Sequence, residues 1–425
     1  MTNTLRPVAV VGGMRIPFCR SNSAYSDLSN LDMLTTTLKG LVEKYSLDGE
    51  KIDEINAGAV INHSRDWNVA REAVLGTGLS PLSPAITMQQ ACATSLQAAL
   101  VSSAKIASGQ IECAIAAGAD TVSDVPIVFG KRFAKRLVGL GKARSAMAKI
   151  KMLKGFGPGE LKPLPPSTNE PRTLLSMGQH CELMAQHWGI TREAQDELSV
   201  QSHLNAAAAY DNGFYDDLIT PCEQVVRDNN MRPDTSVEAL SGLRQAYERS
   251  EKGTLTAGNS TPLTDGASSV LLASEEWARE RGLPILAYLT HGQTSAVDFV
   301  EGEGLLMAPA VAMSEMLTRA NMTLQDFDFY EIHEAFAAQV LCTLAAWESD
   351  EYCRERLGRS EPMGSIDRSK MNVVGSSLAV GHPFAATGAR IVATLGKLLD
   401  QNSGGKGVIS VCTAGGMGVT AILER

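Results

Sequence analysis

Two cysteines and two histidines stand where reactive side chains are commonly held. Cys92 lies in TMQQACATSLQAAL, residues 87–100, between polar Gln90 and a run of small residues that opens a helical pattern ending near Gly109. In the first turn of that helix its sulfur would face unpaired backbone N–H groups and the positive end of the macrodipole, which lower a thiol pKa from about 8.5. His382, in VVGSSLAVGHPFAATGAR at 373–390, directly precedes Pro383, a residue suited to the first helical position. Gly375, Gly381 and Gly388 around it let backbone approach a ligand closely. Cys412 falls in the Gly-rich turn of VCTAGGMG at 411–418, with the N–H of Ala414 free to face an anion. His333 opens HEAFAAQ at 333–339, a strand-to-helix junction.

A cysteine alone is usually a small hydrophobe, and that reading holds for Cys113, Cys342 and Cys353. Two thiols and two histidines at strand ends and helix starts are what acyl transfer through a thioester needs. One thiolate attacks an acyl carbon, a second group moves a proton on a carbon acid, and donors hold the developing oxyanions. No metal is expected: the eight cysteines form no CxxC pair or zinc-spaced cluster, and HEAFA lacks the second histidine of HExxH.

The elements that must position these residues read as α/β. Apolar strand-like runs at 7–13, 54–61 and 113–120 alternate with helical patterns such as 31–45. Residues 126–175 break that rhythm with a basic amphipathic segment and a Pro-rich connector, and 176–211 read as helical, with Thr191 as an N-cap and DNG at 211–213 as the stop. From about 254 the α/β rhythm returns, and the last third repeats the first: helix then strand follows His382 as it follows Cys92. Two α/β halves with a helical excursion between them are expected, and the repeat puts His382 in the place that Cys92 holds.

ACATS at 91–95, GTLTAGNSTPLTDGA at 253–267, HEAFA at 333–337, GHPFAATGAR at 381–390 and CTAGGMG at 412–418 together resemble the thiolases, and GGMRIPF at 12–18 is similar to their N-terminal signature with Ile16 in place of Thr. The resemblance covers nearly the whole chain. It implies a duplicated five-layer αβαβα fold with an inserted, mostly helical loop domain: residues 1–125 and 254–284 as the N-terminal half, 126–253 as the loop domain, 285–425 as the C-terminal half. It implies reversible cleavage of 3-oxoacyl-CoA by CoA, with CoA and acyl-CoA as substrates and no permanently bound cofactor. By similarity Cys92 carries the acyl group, His382 takes its proton and helps bind the thioester oxygen, and Cys412 is the acid/base on the enolate carbon. His333 replaces the family's usual Asn in the first oxyanion hole. The backbone N–H groups of Cys92 and Ala414 form the second. Met177, Arg232, Ser260, Thr261 and Leu263 fall where family residues touch CoA.

The wording around His333 and His382 is most similar to the thiolase subunit of the fatty-acid β-oxidation trifunctional complex. That implies a homodimer or higher homo-oligomer and a hydratase/dehydrogenase α subunit as partner. Alternatives within reach are a short-chain acetoacetyl-CoA thiolase working in the condensing direction, a decarboxylating ketosynthase, against which Cys412 argues, and an inactive thiolase-shaped lipid or CoA carrier, against which the full set of catalytic groups argues.

A formal charge of −9 argues against nucleic acid as a partner. Against that background, Lys131 to Lys154 is a stretch of nine basic and no acidic residues. It reads as a solvated face, an attractive field for CoA, a protein dock or a peripheral membrane contact. The start, MTNTLRPVAVVGG, resembles no targeting leader, and no run nears the roughly 20 apolar residues of a membrane span. The cytoplasm is the expected address. The stretch 349–370 carries no chemical reading.

Overall fold

The computed structural model describes residues 5–425. In chain order the main strands are Val8–Arg15 (β1), Glu54–Gly58 (β2), Ala85–Thr87 (β3), Cys113–Asp120 (β4), Thr264–Ser274 (β5), Ala287–Ala296 (β6), Phe329–Ile332 (β7), Lys406–Thr413 (β8) and Met417–Glu424 (β9). With the short strand Cys19–Arg20 against β5, they form one ten-stranded sheet ordered β7-β8-β9-β6-β1-β5-β4-β2-β3.

That order is a palindrome of pairing types about the β6–β1 junction. Going outward on one side, β1 meets β5 and β5 meets β4 antiparallel, and β4 meets β2 parallel. On the other side β6 meets β9 and β9 meets β8 antiparallel, and β8 meets β7 parallel. Among the described residues, the two arms of the sheet pair with each other through Ala9↔Tyr288 and Val10↔Ala287. A duplicated unit explains why the parallel pairs fall at corresponding places.

The principal helices are Asn30–Lys44 (α1), Thr94–Ala107 (α2), Lys131–Lys142 (α3), Ala146–Leu153 (α4), Met177–His187 (α5), Arg192–Asp211 (α6), Ala308–Ala320 (α7), Ala337–Glu348 (α8) and Thr387–Gln401 (α9). Strand alternation assigns them to layers. On β4, Ile115, Ala117 and Ala119 pack with Leu34, Leu38 and Leu41 of α1, whereas Ala114 and Ala116 face the opposite way into a core holding Leu96 of α2 and Ile391 and Leu395 of α9. On β8, Ile409 and Val411 enter that same central core, and Val408 and Cys412 turn outward to Met313 and Leu317 of α7 and Val340 and Leu344 of α8. The result is five layers, helix–sheet–helix–sheet–helix, with α2 and α9 sandwiched in the middle. Strands β1, β4, β5, β8 and β9 are covered on both faces and read as nearly continuous buried runs, whereas β6 keeps several residues exposed.

The excursion between β4 and β5 carries α3 to α6. The helical pattern of 176–211 divides into two helices at Gly189, whose φ is 63°. Thr191 caps α6 by accepting from the Ala194 N–H, as its position predicts. Helices α3 and α4 bury no residue, and Leu137, Val138, Met147 and Ile150 are exposed. Arg136 staples the hairpin from inside: it donates to the Met152, Lys154 and Gly155 carbonyls and pairs with Glu160 at 2.8 Å. Residues 349–370 begin with a short helix whose Cys353 is buried and whose Tyr352 stacks edge-on against Trp188, 5.4 Å between ring centroids. Among the described residues no helix is long and apolar enough to cross a membrane.

Candidate active site

Cys92 stands on a tight elbow rather than in the first helical turn. Helix α2 begins at Thr94 with Ala93 at the cap, so Cys92 lies one residue outside. Ala91 is held at a φ of 45°, unusual for a residue with a Cβ. Thr94 locks the turn: its Oγ1 accepts from the Gln90 N–H and donates to the Ala91 carbonyl, both at 2.8 Å. Local threonine chemistry therefore aims the sulfur, with the helix behind it.

His382 reaches the same place from the other half. Pro383 does not start a long helix; it precedes a single 3-10 turn, Phe384–Ala386, after which α9 begins at Thr387. Asp120, at the end of β4, holds that turn by accepting from the Ala385 N–H at 2.7 Å, and also accepts from Val60 and Ile61. Burial pushes the Asp120 carboxyl up to about 7, with the three amide donors pulling the other way. Gly388 brings α9 onto α2, since a Cβ there would stand 2.2 Å from the Leu96 nitrogen. Ser95 Oγ accepts from the Ala389 N–H at 2.8 Å across the crossing.

His333 continues β7 by donating its N–H to the Ser410 carbonyl at 2.8 Å. The next residue, Glu334, is buried and spans the site from behind, accepting from Ser202 at 2.7 Å, Asn372 at 2.7 Å and the Leu378 N–H at 3.2 Å. Cys412 is in strand β8, paired with Gly418, and not in the turn itself. The turn is Ala414–Gly416, where Gly415 and Gly416 take φ of 76° and 70°, a backbone reserved for glycine.

These pieces converge. The Cys92 sulfur and one ring nitrogen each of His333 and His382 lie within 4.8 Å of one another. The two imidazole centroids are 4.1 Å apart. Both Nδ1 atoms are engaged, His333 with Ser377 Oγ at 2.8 Å and His382 with Thr387 Oγ1 at 2.5 Å. Both Nε2 atoms are buried and have no hydrogen-bond partner among the described residues. An unpaired buried polar atom costs about 1–3 kcal/mol, so two in one cluster with a thiol mark a place where something binds. The N–H groups of Ala414 and of Cys92 itself both reach the Cys92 sulfur. Cys412 is close enough for its charge and that of Cys92 to interact.

Burial dominates the electrostatics. It pushes the Cys92 thiol up to about 12, outweighing the two N–H groups, so the lowered pKa expected at a helix start is not realised. It raises Cys412 well above the ordinary thiol value, with the neighbouring Cys92 adding to the rise. Desolvation, then the Arg390 charge, lowers His382 to about 3; His333 is driven well below its ordinary value by burial, His382 and Arg390. The resting site is a neutral thiol beside neutral imidazoles.

Residues expected to touch CoA divide by position. Leu263 is exposed and bridges to His382, Ser260 bridges to Phe336, and Thr261 donates to the Ala335 carbonyl, so this segment runs along the edge of the cluster. Met177 opens α5, where a Cβ on the adjacent Gly178 would strike Tyr247, itself packed edge-on against Phe336. Arg232 is exposed; its N–H donates to His203 Nδ1 at 3.1 Å and its carbonyl accepts from the Thr235 N–H at 3.2 Å. Cys92, His333 and His382 also have the donor types and spacing to hold a zinc-like ion, although each then loses the lone pair or proton that acyl transfer uses.

The sequence reading missed Asp120, Ser377, Glu334, Thr387 and Arg390, which touch the four central residues or the turns that hold them. Their only signal was adjacency: Glu334 beside His333, and Thr387 and Arg390 in the same motif as His382.

A thiol able to hold an acyl group, two imidazoles beside it, a second thiol nearby and inward-facing amides suit one class of protein, a cysteine-dependent acyltransferase on a duplicated α/β scaffold. The chain belongs to the thiolase family. The model of the thiolase N-terminal domain matches residues 8–276 and that of the thiolase C-terminal domain residues 283–425. Over 423 residues the chain is 42% identical to a 3-ketoacyl-CoA thiolase of Pectobacterium carotovorum, covering 98% of this chain and 96% of that protein. It is 41% identical, with the same coverage, to a 3-ketoacyl-CoA thiolase of Yersinia pestis. Among solved structures, the acetyl-CoA acetyltransferase of Bacillus anthracis superimposes with a TM-score of 0.82 at 28% identity over all of both chains. The human mitochondrial 3-ketoacyl-CoA thiolase in complex with CoA does so with 0.81 at 26% identity over 99% and 98% of the two chains.

Proposed function

We propose that this chain catalyses the reversible thiolytic cleavage of 3-oxoacyl-CoA by CoA, giving acetyl-CoA and a shortened acyl-CoA, in the degradative direction of fatty-acid β-oxidation. The observation that carries the reading is the meeting of Cys92, His333 and His382 within 4.8 Å at the junction of the two halves. Near-identical length and 42% identity to a 3-ketoacyl-CoA thiolase support it.

Because the resting thiol and imidazole are both neutral, the first step couples proton transfer to attack. His382 Nε2 takes the Cys92 proton, which requires its Nδ1–H to donate to Thr387 Oγ1. The sulfur bonds to C3 of the substrate, and the C2–C3 bond breaks. Its electrons form the enolate of acetyl-CoA, which Cys412 protonates at C2. A thiol with a raised pKa suits this step, because its thiolate is basic enough to run the reverse reaction on a carbon acid. CoA then enters, its thiol returns a proton to Cys412, and its sulfur takes the acyl group from Cys92, which recovers its proton from His382. The amides of Cys92 and Ala414 hold the thioester oxyanion, and His333 holds the oxygen of the enolate; one such donor is worth about 3–4 kcal/mol of barrier.

Residues 1–125 and 254–284 form the N-terminal half in this reading, 126–253 the loop domain and 285–425 the C-terminal half. Met177, Ser260, Thr261 and Leu263 contact pantetheine, and Arg232 the nucleotide end. The protein works in the cytoplasm as a homodimer or larger homo-oligomer, with a hydratase/dehydrogenase α subunit as partner, and no cofactor stays bound. The α3–α4 hairpin, basic and apolar at once, is a peripheral membrane contact.

The test is thiolysis of acetoacetyl-CoA against a long-chain 3-oxoacyl-CoA, with Cys92→Ser and Cys412→Ala alongside. Cleavage of neither substrate sinks the enzyme reading; cleavage of the four-carbon substrate alone favours the short-chain condensing enzyme. Cys412→Ala is expected to acylate at Cys92 without turnover, and an acyl group trapped on another cysteine would refute the assigned roles.

A further inference from the structure

The outer nitrogen of His333 does not end its polar connections. Nδ1 lies 2.8 Å from Ser377 Oγ, and Ser377 Oγ receives the Arg390 Nη2–H at 2.9 Å. Arg390 also lies 3.4 Å from Ser376 Oγ. Its Nη1 is 3.9 Å from a Glu331 carboxyl oxygen, and both carboxyl oxygens lack a hydrogen-bond partner among the described residues. Arg390, Ser377 and His333 are all buried.

Donor and acceptor counting then orders the protons. A guanidinium has five N–H donors, no acceptor and no accessible deprotonation. Where it meets Ser377 Oγ, the hydroxyl oxygen must accept. The Ser377 hydroxyl hydrogen therefore needs another acceptor, and His333 Nδ1 is the one in reach among the described residues. If Nδ1 carried the proton instead, Ser377 would accept twice and its own buried hydrogen would be left unpaired, at about 1–3 kcal/mol. A neutral imidazole accepting at Nδ1 carries its proton on Nε2, the atom that faces the cleft.

We propose that Arg390 and Ser377 are a positioning relay that fixes His333 as the Nε2–H tautomer, making it a standing hydrogen-bond donor to the substrate oxygen rather than a second base. The inference rests on the acyl-transfer reading for its consequence, not for the tautomer. With His382 as the base of the proposed reaction, two imidazoles 4.1 Å apart take opposite jobs: His382 offers a lone pair at Nε2 and His333 a proton. The Arg390 charge opposes protonation of both rings and so keeps His333 neutral; the tautomer is set by the Ser377 contact alone.

The experiment uses the full-length protein selectively labelled with 15N-histidine, its His333 signals assigned by difference from a His333→Gln variant. In wild type, the spectrum is expected to show an unprotonated Nδ1 and a protonated Nε2 at His333. Ser377→Ala should move it toward a mixture of tautomers, lower kcat for thiolysis about 10- to 100-fold and leave KM for the acyl-CoA within about twofold. Ser377→Thr, which keeps the hydroxyl, should restore both. A wild-type His333 protonated at Nδ1 overturns the proposal, as does a Ser377→Ala protein with unchanged tautomer or unchanged kcat. If Ser377→Ala fails to fold, the wild-type spectrum alone decides. Absence of thiolysis in wild type would defeat the proposed reaction while leaving the tautomer measurement standing.

Discussion

Replacing Gly388 by alanine adds one methyl where α9 crosses α2. Its Cβ would stand 2.2 Å from the Leu96 nitrogen and 2.6 Å from the Leu96 Cβ, whereas comfortable contact begins near 3.5 Å. The two helices must part by about 1 Å, because backbone cannot rotate away as a side chain can. Helix propensity favours alanine over glycine by about 1 kcal/mol, and overpacking costs about 1–3 kcal/mol, so the net loss of stability is small. The catalytic effect is larger. Cys92 and His382 hang from the starts of these two helices, and a misplacement of about 1 Å costs on the order of 100-fold in rate. Steady-state thiolysis should show kcat reduced on the order of 100-fold, with the thermal midpoint lowered by only a few degrees. Gly396→Ala, further along α9, is the control: its Cβ would meet nothing closer than 3.4 Å, and activity should stay near wild type. A folded Gly388→Ala protein with wild-type kcat would refute the idea that this crossing sets the Cys92–His382 spacing.

Three further outcomes are expected. Alkylation of Cys92 by iodoacetamide, followed by peptide mass spectrometry, should rise about tenfold per pH unit from about pH 7 to about pH 10, because burial pushes this thiol up to about 12; a plateau below about pH 8 would mean a thiolate–imidazolium pair instead. Asp120→Ala should destabilise the protein by about 3 kcal/mol in chemical denaturation, since it orphans the buried N–H of Ala385 and the half-buried N–H groups of Val60 and Ile61; a loss under about 1 kcal/mol would show that the 385 turn is held by other contacts. Reversing Lys131, Arg132, Lys135 and Lys142 to Glu, with Arg136 kept because it staples the hairpin, should abolish co-sedimentation with anionic liposomes, and unchanged binding would remove the membrane role.

The sequence by itself determined the α/β class and its duplication, and it singled out Cys92, His333, His382 and Cys412 as candidates, three of which the fold brings within 4.8 Å of one another. Apolar runs that need both faces covered, helical patterns that follow Cys92 and His382, and a second thiol before Ala414 are local patterns, written in composition and spacing. The Thr191 cap and the break before it were legible for the same reason: capping is settled within a few residues. Tertiary structure decided the rest. The Cys92 thiol was expected to be acidic from its helix start, yet burial by residues from both halves outweighs two backbone N–H groups, and desolvation depends on what packs above the sulfur. The partners that orient the imidazoles were equally hidden. Ser377 is 44 residues from His333, and Asp120 reaches Ala385 across a separation of 265 residues. Spacing along the chain reports which face of a helix or strand a residue occupies, and only the folding of one half against the other determines which polar atoms, far apart in sequence, satisfy each other.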